Sequence, residues 1–167
     1  MPVRIFLSTV SNEFCDYRDQ LRHDLTRHNV EVKVQEDFKD FGSVTLDKLD
    51  VYITACDAAI HLVGDMTGAM AGPESTRAIL ATYPDIVMRF PQLREALARD
   101  EEVSYTQWEA WLALWHGKRL VIAQAGAGVE NRGPDTPAAF DEQSRVDAIP
   151  VDLSPGDAVF NRRAGMR

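Results

Sequence analysis

Four short apolar runs, at residues 3–7, 30–34, 58–63 and 119–123, are each separated from the next by a segment in which apolar residues recur every three or four positions. A helix placed between successive strands returns the chain to run in the same direction. This alternation therefore implies a parallel sheet covered by helices on both faces. The second run, Val30-Glu31-Val32-Lys33-Val34, alternates strictly, so its valines share one face and its charges the other, as on an edge strand. The third and fourth runs are almost wholly apolar and read as strands buried on both faces, with His61 as a core histidine. The expected architecture is a flavodoxin-like three-layer α/β/α fold with strand order 2-1-3-4 and any fifth strand beside the fourth.

The intervening segments supply the helices. Ser8 to Asn12 are suited to capping a helix in which Phe14, Tyr17, Leu21 and Leu25 form the apolar stripe and Arg27 and His28 close the last turn. Leu46, Leu49 and Ile53 mark a second helix, entered near Ser43 or Thr45. Residues 64–103 interrupt the pattern with glycines, prolines and short helices expected at 76–82 and 86–99. So long an insertion is either a lid or partner surface, or a solvated helical decoration. Ser104 and Gln107 have the spacing of a capping box, and Trp108, Trp111, Leu112 and Trp115 follow as a stripe ending at Gly117. Beyond Ala123 the signal decays, leaving residues 148–153 with the composition of a fifth strand and 138–146 with that of a short helix.

Composition excludes several functions. A formal charge of −8 and a pI near 4.9 oppose non-specific attraction to nucleic acid or anionic lipid. Two cysteines, Cys15 and Cys56, and no Cys/His cluster of zinc spacing fit a reduced cytoplasmic protein without a metal. Cys15 has only its helix N-terminus to activate it, so a nucleophilic role is not expected. No apolar stretch reads as a membrane span or a targeting segment. The Gly126-Ala127-Gly128 run lacks the third glycine and following helix of a dinucleotide fingerprint and reads as a loop.

Ligands of open parallel sheets bind beyond the carboxyl ends of the strands. The segments 8–12, 35–42 and 64–68 should meet there, joined by the first turns of the helix at Ser104. Glu109 lies one position off the tryptophan stripe, early in that helix, where it is expected half-sheltered at the border of the buried face. The helix dipole there favours a carboxylate, whether the residue is an ordinary capping glutamate or a functional one.

The segments RIFLSTVSNEF, VKVQEDF, ACDAAIHLVGD and SYTQWEAWLALWHGKRLVIA, over residues 3–123, together resemble the TIR superfamily, in particular the TIR-like domains at the N-termini of bacterial multidomain proteins. On that resemblance residues 1–125 form a TIR-like domain with 64–103 as a helical insertion, and 126–167 a fifth strand or linker. The long insertion departs from the usual pattern. So does the tail, which is what a piece of a longer chain would show.

NAD-cleaving TIR domains carry a catalytic glutamate on the helix before the fourth strand, ahead of a small-residue turn. Glu109, followed by His116, Gly117 and Lys118, matches that arrangement. The resemblance thus implies an NAD(+) glycohydrolase, with NAD as substrate and no cofactor, acting in bacterial defence or cell killing. Homotypic self-association and a sensor domain or partner chain would trigger it. The alternatives are a non-catalytic TIR assembly module and an N-glycosidase acting on other nucleosides or nucleotides.

The remaining candidates are binding residues. Ser8, Thr9 and Ser11 suit phosphate or ribose oxygens. Phe38, Tyr105 and Trp108 suit stacking on a ring, with a place in the core as the other reading of Trp108. Asp65 suits either a ribose hydroxyl or a turn cap.

Overall fold

The computed structural model describes residues 1–37, 46–64 and 66–124. Strand β1 (Val3–Ser8) leads into helix α1 (Ser11–Leu25), β2 (Val30–Lys33), α2 (Leu46–Thr54) and β3 (Ala58–Val63). Then come α3 (Pro73–Thr82), α4 (Ile86–Arg89), α5 (Pro91–Ala98), α6 (Tyr105–Trp115) and β4 (Arg119–Gln124). The four strands form one all-parallel sheet in the order β2-β1-β3-β4, a flavodoxin-like α/β arrangement. Residues 138–146 and 148–153, with their expected helix and strand, lie outside the described residues, as do Phe38 and Asp65.

Side-chain alternation along the strands divides the core in two. Leu7, Val32, Val34 and Leu62 face α1, where Phe14, Tyr17, Leu21 and Leu25 pack on them as their spacing predicts. Phe6 and Ala59 face the other side and join Leu46, Leu49 and Ile53 of α2 with Trp108, Trp111 and Leu112 of α6. Three layers result, helix on sheet on helix.

Several local expectations are corrected. The N-cap of α1 is Val10, with no side-chain cap, so the hydroxyls of Ser8 and Ser11 are committed elsewhere. At its other end Thr26 takes the Arg22 carbonyl with both its N–H and its hydroxyl, closing the helix before Arg27 and His28. Strand β4, expected to be buried on both faces, borders only β3 among the described residues and leaves Val121 38% exposed.

Among its described residues the insertion holds three helices, because Pro91 starts a new one after Phe90. Its two ends meet beside the start of α6, where Ala71 N–H donates to the Val103 carbonyl at 3.0 Å and Tyr105 N–H to the Ala69 carbonyl at 2.9 Å. Its body does not stay at that edge. Phe90 packs on Trp111 at 5.1 Å, and Arg89 donates to the carbonyl of Trp115 at the far end of α6. At the same end Tyr83 donates its hydroxyl to Asp50 at 2.7 Å, and Asp50 also contacts His116 Nε2 at 2.6 Å. The insertion therefore runs the length of α6 and forms an outer wall of the core, with Ile79, Ile86, Leu93 and Ala96 completely or almost completely buried.

Candidate active site

Parallel pairing sets Ser8, the last residue of β1, opposite His61 in the middle of β3. Their neighbours Leu7, Ile60 and Leu62 pack on the α1 side, so alternation turns Ser8 and His61 toward α6. Ser8 Oγ lies 2.7 Å from His61 Nδ1.

Glu109 reaches the same point from α6. That helix is fixed by the capping box the sequence predicts: Gln107 N–H donates to Ser104 Oγ, and Ser104 N–H donates to Gln107 Oε1. Its end is set by Gly117, whose φ of +65° is the left-handed conformation that suits glycine after a helix. Ser8 Oγ donates to Glu109 Oε2 at 2.5 Å, in the range of a charge-assisted bond from a hydroxyl to a carboxylate. Ser8, His61 and Glu109 are 2%, 0% and 3% exposed, so polar groups from three elements meet in the interior.

Glu109 is thus buried rather than half-sheltered. Each residue turns an α-helix by about 100°, so Glu109 points roughly 160° away from Trp111, which packs against Phe90 of the insertion. Enclosed by the sheet, α2 and the insertion, α6 has no solvated face from Thr106 to Ala113. The order of the three groups also limits their chemistry. Ser8 stands between imidazole and carboxylate, whereas a Ser-His-acid relay needs the imidazole between the other two. Glu109 is oriented here as a carboxylate in its own right.

The loop after β3 crosses beside this site. Met66 N–H lies 3.2 Å from each oxygen of the Glu13 carboxylate, which α1 supplies from its first turn. Gly64 lies directly against the same carboxylate. Gly68, at a φ of +79°, lets the chain pass Thr106 and Val10, where a Cβ would come within 3.0 Å of Thr106 Oγ1.

The other candidate residues are dispersed. Thr9 is half-buried, and its Oγ1 has no hydrogen-bond partner among the described residues. Ser11 donates to Glu36 at 3.0 Å and accepts from Arg18, which itself pairs with Glu36 at 2.6 Å. Burial opposes ionisation of Glu36, yet a backbone hydrogen bond, Arg18 and Ser11 together hold its carboxyl below the ordinary range. Trp108 is completely buried in the core, the other place its sequence position allowed. Tyr105 is half-buried against the same cluster. His61, read from the sequence as a core histidine, is completely buried as expected; only its pairing with Ser8 had no signal beyond a lone polar residue in an apolar strand.

Among the described residues no group of three or more His, Cys, Asp and Glu side chains is placed to hold a metal ion, and no helix is long and apolar enough to cross a membrane. No family model, curated protein or solved structure matches the chain.

Proposed function

We propose that this chain is a TIR-like NAD(+) glycohydrolase in which Glu109 is the catalytic carboxylate. The observation that carries the reading is the position of Glu109. It projects from the second turn of α6 to the carboxyl end of β1, held there by Ser8 at 2.5 Å. That edge of an open parallel sheet is where ligands bind.

The chemistry suits a site with one such group. Cleavage of the ribose–nicotinamide bond releases a neutral base from a cationic pyridinium, so the leaving group needs no general acid. A fixed carboxylate facing the oxocarbenium charge as it develops stabilises the transition state more than the substrate. About 3 kcal/mol of such stabilisation corresponds to roughly a hundredfold in rate. Because Glu109 is 3% exposed, substrate reaches it only when the elements packed over it move aside. A trigger through self-association, of the kind a defence effector needs, would act there.

Burial of Glu109 also supports a second reading, a TIR assembly module without turnover, in which the carboxylate only anchors α6 to the sheet. Incubating the full chain with NAD at high protein concentration, with a crowding agent, and measuring nicotinamide by chromatography separates the two. Nicotinamide release supports the glycohydrolase. A chain that self-associates and releases none is an assembly module. Release of the base from other nucleotides but not from NAD would make it an N-glycosidase of different substrate.

A further inference from the structure

Ser8 has two partners within hydrogen-bond distance but only one proton. It donates that proton to Glu109 Oε2, so it must accept at Oγ from His61, whose Nδ1 then carries a hydrogen. We propose that His61, Ser8 and Glu109 form a directed hydrogen-bond chain, from His61 Nδ1–H through the Ser8 hydroxyl to the Glu109 carboxylate, in which Ser8 and His61 are positioning residues for Glu109. This rests on the reading of Glu109 as the functional carboxylate.

Three features of the site bear on it. First, the members come from three separate elements, 53 and 101 residues apart in sequence, so the chain of bonds also locks the sheet to α6. Second, all three lie in the interior, where an ill-satisfied carboxylate is costly and each bond to it is strengthened. Third, a carboxylate on a two-methylene stem can rotate, and engagement of Oε2 by Ser8 fixes the plane in which it meets a substrate. His61 in turn fixes Ser8, because a hydroxyl that accepts from Nδ1–H has its own proton directed away, at Glu109. The opposite direction needs a protonated Glu109 donating to Ser8, Ser8 donating to Nδ1, and the imidazole hydrogen on Nε2. Which nitrogen carries the proton therefore reports the direction of the whole chain.

The test uses the full chain labelled with 15N-histidine, the His61 signals being assigned by their loss in His61→Gln. In the parent, the nitrogen shifts should show Nδ1 protonated. In Glu109→Leu the Ser8 hydroxyl loses its acceptor and turns to Nδ1, so the imidazole hydrogen should move to Nε2. An unprotonated Nδ1 in the parent overturns the direction, and an unmoved hydrogen in Glu109→Leu overturns the coupling. Kinetically, Ser8→Ala should lower kcat for nicotinamide release by about ten- to a hundredfold, through misplacement of the carboxylate, with KM little changed. Ser8→Thr, which keeps a hydroxyl, should recover much of the loss. An unchanged kcat in Ser8→Ala overturns the positioning role. A parent that releases no nicotinamide sinks the glycohydrolase reading alone, and the parent nitrogen shifts still decide whether the chain exists.

Discussion

Glu109 and Trp111, two residues apart on α6, serve opposite sides of that helix. The first is bonded to Ser8 in the sheet, and the second packs against Phe90 of the insertion with ring centroids 5.1 Å apart. The helix is thus a wall shared by two compartments, one polar and directed at the carboxyl end of the strands, the other aromatic. On the proposed reading function belongs to one face and stability to the other, and substitutions on the two faces should have different consequences.

Trp111→Ala removes a completely buried indole whose neighbours come from the insertion as well as the core. The cavity should cost about 3–5 kcal/mol, a large part of the stability of an ordinary domain. Chemical denaturation should show a greatly lowered midpoint or no folded baseline. A midpoint close to the parent's would mean that the insertion collapses onto α6 without the indole.

The contact at the opposite end of α6 predicts a pH response. Burial, and then the hydrogen bond and charge of Asp50, push the Tyr83 hydroxyl up to about 12. An unfolded tyrosine ionises near pH 10. Between these values the unfolded state gives up a proton that the folded state keeps, so the contribution of Tyr83 is complete below about pH 10 and is lost as pH rises through about 12. Solvent screens much of it. Denaturation midpoints at about pH 9 and about pH 11 should fall further in the parent than in Tyr83→Phe; equal falls would remove Tyr83 from the account.

Gly64→Ala should act through Glu13. The added methyl collides with the Glu13 carboxylate and not with backbone, so the side chain swings away and Met66 N–H loses its acceptor. The expected loss is about 1 kcal/mol. In a Glu13→Ala background the same substitution should cost much less, giving a clear coupling in a double-mutant cycle. Additive losses would show that the two residues do not meet.

What the sequence makes legible here is whatever depends on near neighbours. The alternating valines of β2, the Phe14/Tyr17/Leu21/Leu25 stripe and the Ser104/Gln107 capping box are set by spacings of two to four residues, and each is found in place. The parallel order of the sheet follows from the alternation of strands with helices. The environment of Glu109 does not. Periodicity assumes one buried face per helix, and α6 is enclosed all round because α2 and the insertion pack on it as well as the sheet. The role of His61 depends on parallel register with a residue 53 positions away, and the Asp50 contact with Tyr83 on the insertion's packing; no local pattern carries either.

The remaining prediction concerns Glu109 itself. Glutamine keeps the length of the side chain and an oxygen for the Ser8 hydroxyl, but exchanges a charge-assisted bond for a neutral one and brings two N–H donors into the interior. Glu109→Gln should therefore lose about 1 kcal/mol of stability, a small change in melting temperature, and leave the fold intact. Nicotinamide release should fall far more, by roughly a hundredfold or beyond, because the amide cannot face a developing cation as a carboxylate does. A modest stability loss with abolished turnover identifies a functional carboxylate. A variant that unfolds while Ser8→Ala remains folded identifies a structural one. If the parent cleaves NAD and Glu109→Gln does so at the same rate, the catalytic group lies elsewhere along the carboxyl edge of the sheet.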